Sequence, residues 1–246
     1  NTSLIIMGTS VGAGMLGLPV ETGKGGFFPS LIFLVINWLI MTGTALLLVE
    51  VLAKAKHNAN FVSLTEKILG SNFKIITFCV YIVLFMSLTL AYVKGGGVFL
   101  SNVFFSLPVS LGCLIFLLLF APLIILGSKA LSVGNDCMTF GLLISFLALI
   151  AIAVTKVKGS PLMRVDFFSA SLSLPMYLTA FGFQGTLPSL YSYVGCKKSL
   201  KTAVVIGTSV TLGIYVIWQL VIMGIVPLYG AHSLTSALSA DQTAIT

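Results

Sequence analysis

Long apolar runs separated by short polar segments set the pattern of this chain. The runs cover 2–20, 29–52, 75–100, 108–126, 138–157, 172–194 and 202–228. As helices rising about 1.5 Å per residue, each can cross about 30 Å of hydrocarbon. The pattern predicts an all-α integral membrane protein with about seven transmembrane helices in this chain. The longest polar segment, 54–74, has its own helical signal. Ser63-x-x-Glu66 has the form of a capping box, Phe61, Leu64 and Ile68 recur at helical spacing, and Gly70 can end the turn. A short helix on the membrane surface is expected there, and Glu50 is expected to pair with Lys54 four residues on.

Two runs are not written as continuous helices. The first contains Gly8-Thr9-Ser10-Val11-Gly12-Ala13-Gly14-Met15-Leu16-Gly17-Leu18-Pro19, and the sixth contains Ala180-Phe181-Gly182-Phe183-Gln184-Gly185-Thr186-Leu187-Pro188-Ser189. Irregular backbone at membrane depth survives only against protein or a watery cavity, where the freed N–H and C=O groups can bind a solute. Gly12-x-Gly14-x-x-Gly17 also has the dinucleotide spacing, but that motif requires a preceding strand, and both flanks here are membrane-like. Gly14-x-x-Gly17-Leu18-Pro19 is answered, five spans later, by Gly182-x-x-Gly185-Thr186-Leu187-Pro188. An odd number of spans per repeat inverts the second copy, the plan of many secondary transporters. On that plan, 1–157 forms a first five-helix repeat, and 158–246 opens a second whose later helices lie beyond the C-terminal end of this sequence.

Composition sharpens the class. Charged residues are 8% of the chain and hydrophobic residues 58%, against about 25% charged in an average soluble domain. The net charge of +7 reflects topology: with the first helix starting inside, Lys54, Lys56, Lys67, Lys74, Lys129, Lys197, Lys198 and Lys201 fall in inner loops, and Lys24, Lys156, Lys158 and Arg164 in outer ones. The lipid bilayer, and no nucleic acid, is the implied partner. Cys79, Cys113, Cys137 and Cys196 have no metal or redox spacing and read as small packing residues. His57 and His232 lie in loops, and no nucleophile–base or metal-ligand set is present, so no enzyme, cofactor or metal is expected. A carrier and a channel-like facilitator remain.

A free amino acid is a zwitterion, and a broken helix can hold both of its ends. The half-helix after the break offers N–H groups near Gly14, Met15 and Leu16 to a carboxylate. The half-helix before it, turning at Gly12, offers the carbonyls of Thr9, Ser10 and Val11 to an ammonium group, and those of Ala180 and Phe181 can join them. The alternative is that Gly12, Gly14, Gly182 and Gly185 only permit close helix packing. Around the sixth-run break, Phe181, Phe183 and Tyr177 can face an aromatic substrate. Gln184 can bond a substrate hydroxyl or indole N–H, or else the freed backbone. Lys94, inside the third run, is a coupling candidate or a lysine snorkelling to the outer interface.

These two motifs, with Ala91-Tyr92-Val93-Lys94-Gly95-Gly96-Gly97, resemble the hydroxy and aromatic amino acid permeases of the amino acid-polyamine-organocation superfamily, among them the bacterial tyrosine and tryptophan permeases. The resemblance covers the whole chain. It implies a leucine-transporter-type inverted repeat of about eleven spans, a place in the cell inner membrane, and uptake of an aromatic amino acid coupled to protons rather than sodium. It also adds Tyr92 to the substrate-binding residues. The family commonly has His at the position of Gln184 and a small residue such as Ser at that of Lys94, differences that bear on the coupling ion and on selectivity.

Overall fold

A computed structural model describes residues 2–55, 60–103, 107–125, 128–157 and 160–226. Among these the chain is helical, without a strand. Lys56, His57, Lys158, His232 and the end of the seventh expected span lie outside the described residues. Four helices are long and apolar enough to cross a membrane, within Phe27–Lys54, Ser71–Val103, Val133–Lys156 and Lys197–Ile225. The first and sixth expected spans are absent from that set because each is broken into short helices, and the fourth because it is short.

The chain divides into two compact units, Asn1–Lys56 with Met138–Thr246, and His57–Cys137. In the first lie α1 (Thr2–Ser10), α2 (Ala13–Thr22) and α3 (Phe27–Lys54). The second holds α4 (Phe61–Leu69), α5 (Ser71–Val103) and α6 (Val109–Ile125), and α7 (Ser128–Ala153) runs across the boundary. The first unit then continues through α8 (Phe167–Leu172), α9 (Leu174–Ala180), α10 (Leu187–Val194) and α11 (Lys197–Ile225).

In the first unit Met15, Leu18, Leu34, Tyr177, Phe181, Ile214 and Tyr215 form the centre of an apolar core. Hydroxyls inside it bond locally, as membrane helices require: Thr22 Oγ1 donates to Leu18 O at 2.7 Å and Thr211 Oγ1 to Gly207 O at 2.9 Å. Across helices, Thr42 and Thr208 join their hydroxyls at 3.1 Å, linking α3 to α11. The Glu50 carboxylate pairs with Lys197 and Lys201, not with Lys54 as expected. The physical reason is packing: the start of α11 lies beside the end of α3, so two lysines one turn apart face Glu50, and an acid near a helix N-terminus also suits its dipole. This pair puts the Lys54 end of α3 and the Lys197 end of α11 together. At another corner Asp166 N–H donates to Gly25 O at 3.0 Å. Gly26 there adopts φ 86°, ψ 167°, a region open essentially to glycine, and a Cβ on it would lie 2.1 Å from Arg164 O.

In the second unit the short helix expected within 54–74 is present, with a corrected start. Its cap is Asn60, whose side chain accepts from Ser63 N–H at 2.8 Å while the Ser63 hydroxyl accepts from Asn60 N–H. Ser63 is thus the third residue of the capping box and not its first, and Glu66 turns instead to Lys74 at 2.8 Å. The glycines that follow Lys94 make a close hairpin: Gly97 packs on Cys113 and Gly96 on the Phe116 ring of α6. Cys113 is therefore a packing residue as expected, whereas Cys79, Cys137 and Cys196 have exposed side chains.

Candidate functional site

The first break is local in origin. α1 stops at Ser10, Val11 N–H still reaches Met7 O at 2.8 Å, and Met15 N–H returns to Gly12 O at 3.1 Å to start α2. Gly12 is the cap and supplies no side-chain acceptor, so the first turn of α2 presents N–H groups that the helix itself cannot satisfy. The second break runs from Phe181 through a 3₁₀ turn at Gln184–Thr186, after which Pro188 in the first turn of α10 restarts the helix without needing an N–H bond.

Tertiary packing brings the breaks together. A Cβ on Gly14 would lie 3.0 Å from Ala180 Cα, and one on Gly17 would lie 2.5 Å from Met176 Cε. These glycines thus do permit close helix approach. The hydroxyl of Tyr215, on α11, meets Ser10 O and lies 2.9 Å from Ala180 O. Ser10 and Ala180 are the last residues of α1 and α9, so the negative ends of two helix dipoles converge on one oxygen. A hydroxyl carries one proton and donates to one acceptor at a time. Among the described contacts, two helix-terminal carbonyls thus share one donated proton, which is the chemistry that attracts an ammonium group or another cation.

The remaining expected residues fall into groups. Phe181 is fully buried and stands edge-on to Tyr215, ring centroids 5.5 Å apart. Phe183 is fully buried, and Tyr177 is buried and stacked on Phe33 at 6.2 Å. Met15 is in the core, and Gly182 lies against Thr179 O. Gly185 sits in the 3₁₀ turn, and Leu16 in the first turns of α2. Gln184 Nε2 donates to Met41 O at 3.2 Å, so it ties the sixth-run break to α3 and not to the backbone freed at its own break. Tyr92 and Lys94 lie on α5 in the second unit. Among the described residues, no three His, Cys, Asp or Glu side chains gather as a metal site.

Sequence reading passed over three residues. Tyr215 and Gln219 lie with Thr208 and Thr211 at spacings of three, four and four on an apolar helix, and that polar periodicity was the available signal. Asp136 falls between the fourth and fifth expected spans, 108–126 and 138–157. α7 starts well before the expected 138 and includes it, and one of its carboxylate oxygens is buried without a hydrogen-bond partner.

The chain is similar to several curated proteins. It is 33% identical over 226 residues to the tyrosine-specific transport system 1 of Haemophilus influenzae, covering 89% of this chain and 56% of that one. It is 31% identical over 255 residues to the tyrosine-specific transport system 2 of the same organism, covering 98% and 61%. To the tryptophan-specific transport protein of Shigella flexneri it is 30% identical over 240 residues, covering 91% and 57%. The chain thus spans somewhat more than half the length of these relatives. No solved structure matches it. The profile of the tryptophan/tyrosine permease family matches residues 1–244, nearly the whole chain. With two interrupted helices meeting among long apolar ones, this membrane protein belongs to the tryptophan/tyrosine permease family.

Proposed function

We propose that the chain forms part of a secondary active transporter that imports an aromatic amino acid, tyrosine or tryptophan, across the cell inner membrane by proton symport. The observation that carries this reading is the meeting of the two helix C-termini at the Tyr215 hydroxyl. The substrate ammonium binds the carbonyls of Ser10 and Ala180, and its carboxylate lies against the N-terminal turn of α2 at Gly14, Met15 and Leu16, where the Met15 N–H is shared with Gly12 O. The backbone around Gly182 and Gly185 bounds the site, Phe181 and Phe183 wall it, and Gln184 steadies that wall from α3. The broken pairs α1–α2 and α9–α10 act as the first and sixth of seven crossings, with 1–157 as the first inverted repeat and 158–246 as the start of the second. The ion pair that joins the Lys54 and Lys197 ends supports an inner location for both.

The same carbonyls would also hold sodium, so coupling needs its own test. Uptake by the full-length protein in vesicles, competed with a panel of amino acids, should be saturable, favour tyrosine or tryptophan, and show substrate counterflow. Current without counterflow would make it a channel. Accumulation should follow a pH gradient and ignore a sodium gradient. If Lys94 carries the proton, Lys94→Met should exchange substrate normally and fail to accumulate it; undiminished proton-driven accumulation removes Lys94 from that role.

A further inference from the structure

α11 carries four fully buried polar residues on one face: Thr208, Thr211, Tyr215 and Gln219. Three have partners inside the unit. Thr208 Oγ1 donates to Val204 O at 2.9 Å and meets Thr42, Thr211 donates to Gly207 O, and Tyr215 reaches the two helix ends. Gln219 differs. It is 0% exposed, yet neither Nε2 nor Oε1 has a hydrogen-bond partner. A primary amide withdrawn from water without partners bears its whole desolvation cost, and an apolar side chain of similar size would avoid it. An amide kept at that cost has something to bind.

Its position says what. Gln219 follows Tyr215 by one turn, about 6 Å along the axis, and helix side chains lean toward the N-terminus, back over the turn of Tyr215. The amide thus belongs to the same face of α11 as the hydroxyl that meets the two helix ends. Aromatic rings accompany this stretch of α11: Phe181 lies against Tyr215 at 5.5 Å, and Phe146 against Trp218 at 6.2 Å. A primary amide both donates and accepts, and its complement is a group that does the same. A phenol O–H satisfies both ends, an indole N–H only the oxygen, and a phenyl ring neither.

Resting on the proposed function, we infer that Gln219 is a specificity-determining residue that binds the phenol hydroxyl of the aromatic substrate whose ammonium group is held at Ser10 and Ala180. Gln184, bonded to Met41, supports the wall, and Gln219 reads the tip. Tyrosine is then preferred over tryptophan and tryptophan over phenylalanine.

The test uses the full-length protein in proteoliposomes, with Gln219→Met as the unbranched apolar match and Gln219→Leu as the second variant. Exchange affinity for tyrosine, tryptophan and phenylalanine is measured, together with the thermal midpoint without substrate. Gln219→Met should weaken tyrosine roughly tenfold or more and leave phenylalanine within about twofold. The substrate-free midpoint should hold or rise, because an unpaired amide has been removed. A structural amide would lower the midpoint and affect the three substrates alike, and that result overturns the assignment, as does failure of both variants to fold. A wild type that exchanges none of the three refutes the proposed function itself. A wild type that exchanges them with a ranking Gln219→Met leaves unchanged refutes only the role of Gln219.

Discussion

Tyr215→Phe removes one oxygen from the point where the two broken helices meet, and its effect can be worked out from the contacts. The ring stays, so the edge-on packing against Phe181 is kept. The hydroxyl touches two carbonyls, Ser10 O and Ala180 O, but its single proton serves one at a time, so the loss is one hydrogen bond and not two. A buried acceptor left unsatisfied costs about 1–3 kcal/mol. Interhelical hydrogen bonds in a bilayer average nearer 0.6 and reach only about 1.7 kcal/mol, because the unfolded helices find other partners. Both carbonyls here terminate their helices in a buried setting, which argues for the overlap of the two ranges, about 1–1.7 kcal/mol. At about 2–4 °C per kcal/mol for chains of this size, the thermal midpoint of the purified protein should fall by a few degrees. Substrate should then narrow the gap, since its ammonium supplies donors to the carbonyls the variant has left bare. The assay is a thermal unfolding series with and without saturating substrate, on wild type and Tyr215→Phe in parallel. A variant as stable as wild type would show that the hydroxyl does not hold the breaks together. A deficit that substrate leaves untouched would show that the ammonium does not bind at those carbonyls.

Gly14→Ala should impair substrate exchange and stability more than Gly17→Ala, although the Gly17 clearance is smaller: the atom facing Gly14 is the Ala180 backbone, while that facing Gly17 is the flexible end of Met176. Exchange assays on both variants at matched membrane levels check the order, and equal effects would refute it. Gly26→Ala should cost about 1–3 kcal/mol from its backbone conformation alone, with the Arg164 carbonyl adding to that, and an unchanged thermal midpoint would refute it. Asp166 accepts from the Ser169 hydroxyl at 2.7 Å and from its N–H at 3.0 Å, which hold the carboxyl below its ordinary range. Its folded pKa lies below the unfolded one, so its contribution is present above the unfolded pKa, near 3.9, and is lost as the pH falls through the folded value. Stability measured from pH 6 down to about pH 3 should therefore fall less steeply in Asp166→Asn than in wild type, and parallel curves would refute the role.

What the sequence determined by itself is whatever a local run of residues decides. Apolar length wrote the long helices, glycine and proline wrote the interruptions at Gly12 and at 181–186, and the polar segment wrote a short helix at Phe61–Leu69. Even there the cap was misread by three residues, because Asn60 and Ser63 both satisfy cap chemistry and only geometry chooses the starting turn. What only the tertiary structure decided is which sides of these helices meet. In a soluble helix the polar face announces the buried one. In helices apolar all round, that signal is weak, and the rotation of each about its axis is set by packing against partners far along the chain. So Glu50 found Lys197 and Lys201 in place of its neighbour Lys54, and Gln184 found Met41 in place of its own break. Tyr215 joined residues on two other helices, one of them 205 positions away. A local spacing rule cannot reach such pairs, because burying acceptors at two helix ends selects any donor that the fold delivers there.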